Sequence, residues 1–431
     1  MKQFDYRTLS PVERERLLAR PGADYGEILP IVNDVFRAVS QRGDEALCDF
    51  TREFDGVDLQ SFRVARETIV RAKSVLKRET QEAILDAADS IRSFHALQIP
   101  RSVHVQTRPG VHCDLEWRPI RRVGLYVPGG SAPLVSTLLM LAIPATIAEC
   151  PEIAVFTPPH RDGSVSAEIL FAAHTLGVDS LYTLGGAQAV AAMTYGTESV
   201  SKVDKIFGPG NRFVTAAKAL AAQPPTNVAI DMIAGPTELL IIADESSNAN
   251  WIASDLLSQA EHGADSQVVL VTTSRSLARK VMTNIDEQLQ SLPRSVIAKQ
   301  ALDSSMVVVV DDLDEAVDFS NAYAPEHLII ATRNAEDLRP RIVNAGSVFL
   351  GPLTSVVFGD YASGTNHTLP TAGSAAATGG LTVRDFMKPI FFQTVSSDGL
   401  ESLVKTTAVL AEAEGLEGHA RAARSREATH D

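Results

Sequence analysis

Several short stretches of the chain bring acids, amides and imidazoles together at spacings that can do chemistry. In Ser258-Gln259-Ala260-Glu261-His262-Gly263 an amide and an imidazole stand three residues apart, near the expected end of a helix. That spacing puts both side chains on one helix face, where two donors can share a cation, and Gly263 suits a C-terminal turn. The plainer alternative has His262 capping its own helix through the C-terminal dipole and Gln259 as a solvated amide. Farther on, Gly359-Asp360-Tyr361 and Asn366-His367-Thr368 place a carboxylate and an imidazole in a glycine-rich loop, and Glu414-Gly415-Leu416-Glu417-Gly418-His419 ends the chain with a similar pair. Turn chemistry beside Gly359 would account for Asp360, and a surface position on a terminal helix for His419. In Asn321-Ala322-Tyr323-Ala324-Pro325-Glu326-His327-Leu328 an adjacent acid and imidazole follow a proline that fixes the backbone at the start of a strand. Such a pair can supply two acid/base groups to one cleft, although a solvated Glu-His turn reads as well. Neutral His327, with an unperturbed pKa of ~6.5, would suit a general base at physiological pH.

The cysteines Cys48, Cys113 and Cys150 are odd in number and widely spaced, which suits neither a disulfide framework nor a thiolate zinc site. Any metal must then be held by nitrogen and oxygen. The net charge of −14 argues against a polyanionic partner, since nucleic-acid binding rests on a basic surface; a small neutral or cationic substrate is easier to accommodate. No stretch reaches the ~18 uninterrupted apolar residues of a membrane span, and the start carries charge where a secretory signal would be apolar. A cytoplasmic, globular protein is the expectation.

The elements that must position these groups fall into two α/β series. With 431 residues, two domains or more are expected. Residues 1–25 read as a polar helical segment, and 28–95 carry apolar residues at helical spacing, among them Ile28, Ile31, Val32, Val35, Phe36 and Val39. From about residue 120, short β-branched runs alternate with glycine turns and helices: 122–127 before Pro128-Gly129-Gly130, then 153–157, 180–184 before Gly185-Gly186, and 205–207 before Gly208-Pro209-Gly210. A second series has strands at 238–243, 267–272, 306–310, 328–331 and 347–350, with helices such as 250–261 and 313–323 between them. Strand, turn and helix in repetition imply right-handed crossovers and mostly parallel sheets. The predicted fold is therefore α/β, two tandem Rossmann-like lobes with small helical terminal segments. The division is 26–125 with 237–381 as one lobe, 126–236 as the other, and 382–431 as a helical tail. Residues 355–385, rich in Gly, Ser, Thr and Ala, read as irregular backbone packed closely against something.

No G-x-G-x-x-G occurs, because Phe213 stands where the third glycine of Gly208-Pro209-Gly210-Asn211-Arg212-Phe213 would fall. The glycine turns at strand ends can still offer backbone amides to phosphate, or can be plain β–α connections.

The stretch from Ile230-Asp231-Met232-Ile233-Ala234-Gly235-Pro236-Thr237-Glu238 through Asp244 to Asp255-Leu256-Leu257-Ser258-Gln259-Ala260-Glu261-His262-Gly263 resembles the motif of the histidinol dehydrogenase family, without a gap. The segments around Asp360 and His419 resemble family motifs as well, and the resemblance is clear over about residues 110 to 420. It implies an NAD-linked, zinc-dependent oxidation of L-histidinol through the aldehyde to the acid. It further implies Gln259, His262, Asp360 and His419 as zinc ligands, Glu326 and His327 as the proton-transfer residues, and Tyr126, Gln188 and Asn211 as NAD contacts. Thr237, His367 and Glu414 join Gln259, His262, His327, Asp360 and His419 around the substrate. Two histidines, an amide and a carboxylate form a borderline-hard set compatible with zinc, which manganese or cobalt could replace. Thr237 stands where many relatives have serine and keeps the hydroxyl. The resemblance also implies a homodimer in which the tail, too poor in apolar surface to make its own core, reaches into the partner's cleft. Competing readings are a relative that oxidises another polar primary alcohol, a zinc hydrolase in which Glu326 activates water, and a non-enzymatic binding protein.

Overall fold

A computed structural model describes residues 1–20, 26–129, 133–233 and 235–427. Gly130 of the first glycine turn, Ala234 of the 230–240 stretch, residues 21–25 of the N-terminal segment and the last four residues of the charged terminus lie outside the described residues.

One all-parallel sheet has its strands in the spatial order Lys2–Asp5, Met306–Val309, Gln267–Thr272, Glu238–Ala243, His327–Ile330 and Ser347–Leu350. A second, also parallel, runs Ser180–Thr183, Glu152–Thr157, Arg122–Tyr126, Lys205–Phe207 and Ala229–Ile230. Numbered along the chain within each lobe, both follow the order third, second, first, fourth, fifth, the doubly wound arrangement, with Lys2–Asp5 added at one edge. Every residue of Glu238–Ala243 and Gln267–Thr272 is buried, as a parallel sheet covered on both faces demands. Leu239 and Ile241 pack against helices Ala249–Ala260 and Arg275–Leu289, while Leu240 and Ile242 meet helix Leu313–Tyr323. Each such side chain contributes about 1.5–3 kcal/mol by burial.

The helices between 28 and 95 pack on the other sheet from the one the sequence pattern suggested. Val32, Val35, Phe36 and Val39 of helix Ile28–Arg42 join Tyr126, Phe156 and the Ala189–Met193 stretch on one face of the five-stranded sheet. Ile69, Ala72, Ile84, Ala88 and Ile91 join Val123, Leu125 and Leu138 on the other. The grouping of 26–125 with 237–381 is corrected accordingly: apolar periodicity shows that a helix face must be buried, but not which sheet buries it.

Both termini depart from the helical expectation. The N-terminal segment begins as a strand, Lys2–Asp5, before helix Pro11–Leu17. The tail begins as strand Met387–Val395, antiparallel to Val111–Pro119, which in turn pairs with Val103–Arg108. Pro389 lies inside the tail strand and Phe391 and Phe392 are both exposed, so the segment lacks the clean alternation that marks a half-buried strand. Helices Ser397–Ala413 and Glu417–Arg424 follow, and the hydrophobic cluster they share consists of Ala408, Ala411 and Ala420. Residues 355–385 are largely irregular, with a short α-helix, Val356–Tyr361, and the 3-10 turns Ser374–Ala376 and, across the segment's end, Val383–Phe386. No helix among the described residues is long and apolar enough to cross a membrane.

Candidate active site

Helix Leu313–Tyr323 stops where Ala324 turns left-handed (φ 49°) and Pro325 denies the next turn its donor. Glu326 and His327 therefore arrive at the very start of strand His327–Ile330, beside the start of its neighbour, Glu238–Ala243. Both are buried. Glu326 Oε2 accepts the Glu238 amide at 2.8 Å and the Thr237 hydroxyl at 2.7 Å. The His327 ring is held by its Nδ1–H, which donates to the Glu238 carbonyl at 3.1 Å. Its buried Nε2 has no hydrogen-bond partner among the described residues and lies 3.6 Å from Asp360 Oδ1. That nitrogen is the one left to meet a ligand.

Gln259, nearly fully buried, reaches the same place from the last turn of helix Ala249–Ala260. Its Oε1 lies 3.0 Å from the Thr237 hydroxyl and its Nε2 donates to Asp360 Oδ2 at 3.4 Å. His262 stands just beyond the helix end and is exposed, so the two residues share a cavity because the chain overhangs its helix, not because they share a helix face. Gly263 is not among the left-handed glycines, and the turn forms without one. His367 is saturated: Nδ1 bonds the Asp360 carbonyl at 2.9 Å and Nε2 the Thr137 hydroxyl at 3.2 Å. It fixes the backbone that carries Asp360.

Thr237, Gln259, His262, Glu326, His327, Asp360 and His367 thus line one cavity of about 240 Å³, closed on the far side by Pro128, Pro209 and Gly210. The cavity lies between the C-terminal edge of the five-stranded sheet and the N-terminal edge of the six-stranded one. The latter is the reverse of the usual edge, since ligands in open α/β sheets normally sit outside the carboxyl ends of the strands. Helix Ala249–Ala260 runs back along its sheet and delivers Gln259 to that same edge. Glu414 and His419 are not there: His419 lines a separate groove with Val395, Leu400 and Arg426, within its own tail.

Burial by itself would push the His327 imidazole down, but the Glu326 carboxylate and Asp360 outweigh it and hold the ring up to about 10. The sequence-based expectation of an unperturbed imidazole is corrected by this pair of anions. Asp360 shows the converse, burial being overcome by His327 so that its carboxyl lies below the usual range. The His367 imidazole is lowered, chiefly by burial. Glu238, whose role the sequence did not reveal, is raised by burial despite the Arg20 guanidinium, which grips both its oxygens at 3.0 and 3.1 Å. Arg20 also stacks over the Tyr323 ring at 3.6 Å and donates to the Tyr323 carbonyl. One N-terminal residue thereby ties the end of helix Leu313–Tyr323 to the strand that carries the catalytic-site backbone. An acid at the first position of a strand gave no signal of this, because its partner is more than two hundred residues away.

A metal can be held here by the Gln259 amide oxygen, His262 and Asp360. Among the described residues no group of three or more His, Cys, Asp and Glu is arranged to hold a metal ion by itself. Zinc in a protein takes about four ligands, so the donors of one chain fit it with at least one place left for a donor from elsewhere.

Tyr126, Gln188 and Asn211 meet in a second cavity of about 420 Å³ at the C-terminal edge of the five-stranded sheet, next to the point where its strand order reverses. The Tyr126 hydroxyl accepts the Gly186 amide at 3.1 Å and keeps its own proton for another acceptor. Asn211 Oδ1 caps helix Arg212–Ala221 through Phe213 and Val214, leaving its amide NH₂ free to donate. Gln188 Oε1 is buried without a hydrogen-bond partner among the described residues. The Gly208 turn is fixed by a buried ion pair: Lys218 lies 2.5 Å from Asp231 and donates to the Gly208 carbonyl, while Asp231 accepts the Gly208 amide at 2.8 Å. Gly208 has φ 115°, and a Cβ there would sit 2.1 Å from the Tyr126 carbonyl oxygen, so only glycine fits. This clamp gave no sequence signal either, because Lys218 on helix Arg212–Ala221 and Asp231 just after strand Ala229–Ile230 are brought together only by the fold.

Comparison with known proteins agrees with this geometry. The family model described as histidinol dehydrogenase matches residues 18–427. The histidinol dehydrogenase of Aliivibrio fischeri is 48% identical over 423 residues, 98% of this chain and 95% of that protein. That of Mannheimia succiniciproducens is 47% identical over 98% of both. The crystal structure of histidinol dehydrogenase from Elizabethkingia anophelis superposes with a TM-score of 0.95 at 44% identity, covering 100% of this chain and 98% of the other.

Proposed function

The chain belongs to the histidinol dehydrogenase family, and on that premise we propose the following assignment of its residues, metal and subunits. It is an NAD-dependent dehydrogenase of histidine biosynthesis, oxidising L-histidinol through L-histidinal to L-histidine with two NAD. The proposal is that it works in the cytoplasm as a homodimer, with Glu326 and His327 as its proton-transfer groups and one zinc in each site. The observation that carries it is the buried Glu326–His327 pair, opening with Thr237, Gln259, His262 and Asp360 onto one cavity, with the cavity of Tyr126, Gln188 and Asn211 beside it.

His327 Nε2 takes the substrate's hydroxyl proton as the carbon loses hydride to NAD, leaving the aldehyde. Water then adds to that aldehyde, with Glu326 accepting the water's proton. His327 takes the proton of the resulting gem-diol as the second NAD takes the second hydride. A base must be neutral, and the pair of anions beside His327 favours its charged form. A divalent cation shared by Asp360 would remove part of that bias and bring the imidazole down toward its working range. Zinc held by Gln259, His262, Asp360 and the partner subunit's His419 would fix the orientation of the substrate's imidazole and amino nitrogens. Thr237 keeps Glu326 pointed into the cavity, His367 holds the Asp360 backbone, and Glu414 of the same tail as His419 completes the grip on substrate. Tyr126, Gln188 and Asn211 bind NAD.

The test is a stoichiometric assay of the purified protein with L-histidinol and NAD. Two NADH should form per histidinol consumed, with histidine as the product. A different primary alcohol turned over in preference, or amide or ester hydrolysis without NADH, would overturn the reading.

A further inference from the structure

The cavity lined by Tyr126, Gln188 and Asn211 holds one charged side chain among its described lining residues, Asp55. It ends a five-residue π-helical turn, Thr51–Asp55, after which Gly56 turns left-handed (φ 70°). Burial lifts its carboxyl to about 6. Among the described residues its one side-chain hydrogen bond comes from the Gln188 amide, Nε2 to Oδ2 at 3.4 Å, and no lysine, arginine or histidine lines the cavity. A partly buried carboxylate is unfavourable unless donors reach it, and here none but that long contact does. Beside it the Gln188 carbonyl oxygen, in a side chain only 1% exposed, also lacks a donor. The two acceptors together call for a ligand with neighbouring hydroxyls, and a ribose has two.

The rest of the cavity suits the remainder of an adenosine. Ile31, Phe54 and Phe213 stand exposed at 45%, 50% and 37%, large apolar surfaces beside the carboxylate. Asn211 and Phe213 also line a depression that continues to Thr237 and His262, which links this cavity to the reacting end. The ribose nearest Asp55 is thus the one remote from the hydride. A phosphate on its 2′ oxygen would lie against a carboxylate with no cation lining the cavity to offset it.

We propose that Asp55 selects NAD over NADP, its carboxylate accepting the adenosine ribose hydroxyls and repelling a 2′-phosphate. The inference rests on the dinucleotide reading of this cavity. An acid that bonds the ribose hydroxyls is how other Rossmann-type sites make the same choice, although here it comes from a helical segment preceding the sheet.

The experiment is steady-state kinetics with L-histidinol, varying NAD or NADP, on the wild type and on Asp55→Asn, Asp55→Ser and Gln188→Ala. The wild type should prefer NAD strongly. In both Asp55 variants KM for NAD should rise with kcat little changed, and the NAD/NADP ratio of kcat/KM should narrow by about tenfold or more, the loss of a charge-assisted contact and a repulsion together. Two Asp55 variants of different size guard against one failing to fold, and NADP inhibition of the wild type reads the same discrimination without any variant. An unchanged ratio, or wild-type use of NADP as good as NAD, overturns the proposal. If Gln188→Ala raises KM for NAD while the Asp55 variants do not move the ratio, only the role of Asp55 fails. If none of the variants changes KM for NAD, the dinucleotide reading of the cavity fails with it.

Discussion

A site shared between subunits makes a quantitative prediction. Within one chain, Gln259, His262 and Asp360 line one cavity and His419 another, so the proposed ligand set of all four would draw on two chains. Consider His262→Asn and His419→Asn, each inactive as a homodimer because every site carries one lesion. Mixed in equal amounts under conditions of subunit exchange, they give about half heterodimers, and in an isologous pair each heterodimer has one site with both lesions and one with neither. About a quarter of all sites should then be intact, with NADH production near a quarter of that of the wild type at equal chain concentration. Bound zinc should rise in parallel, since only the intact sites regain four ligands. Exchange would be followed by native mass spectrometry with differently tagged chains. If heterodimers form in the expected proportion and activity stays at the level of the parents, all four ligands belong to one chain and the shared-site reasoning is wrong.

Four further outcomes follow from the same geometry. Chelation should abolish turnover and added zinc restore it; full activity in protein shown metal-free by elemental analysis would remove the metal from the scheme. Glu326→Gln should slow histidinal oxidation far more than histidinol oxidation, whereas His327→Asn should slow both, and equal losses for Glu326→Gln on the two substrates would refute the division of labour. Arg20→Met leaves the nearly buried Glu238 carboxylate without its counter-charge and should cost about 3 kcal/mol in denaturant unfolding at pH 8; because burial already raises Glu238, protonation relieves the penalty, and the deficit should shrink as pH falls, a deficit independent of pH excluding that cause. Asp55, lifted to about 6, gains its proton as pH falls through that value, so KM for NAD should rise and the NAD/NADP ratio narrow below about pH 6, a dependence that Asp55→Asn should abolish.

Much of the molecule was legible because local chemistry specified it. The strands Glu238–Ala243 and Gln267–Thr272 stand where nearly continuous apolar runs put them, since a strand covered on both faces must be apolar almost throughout. Likewise the Glu326–His327 pair could be anticipated at a strand start, because Pro325 ends the preceding helix whatever surrounds it. What the residues alone left open were pairings across the chain. Apolar periodicity in 28–95 could not choose between two sheets, and an exposed strand interrupted by Pro389 hid the antiparallel sheet. Arg20 with Glu238, and Lys218 with Asp231, are charges that meet only after folding, and so they carry no local spacing to read. The same holds for the protonation of His327. A sequence supplies an imidazole with its ordinary affinity for a proton, but the tertiary structure decides which carboxylates face it in a buried cavity, and their field sets the value.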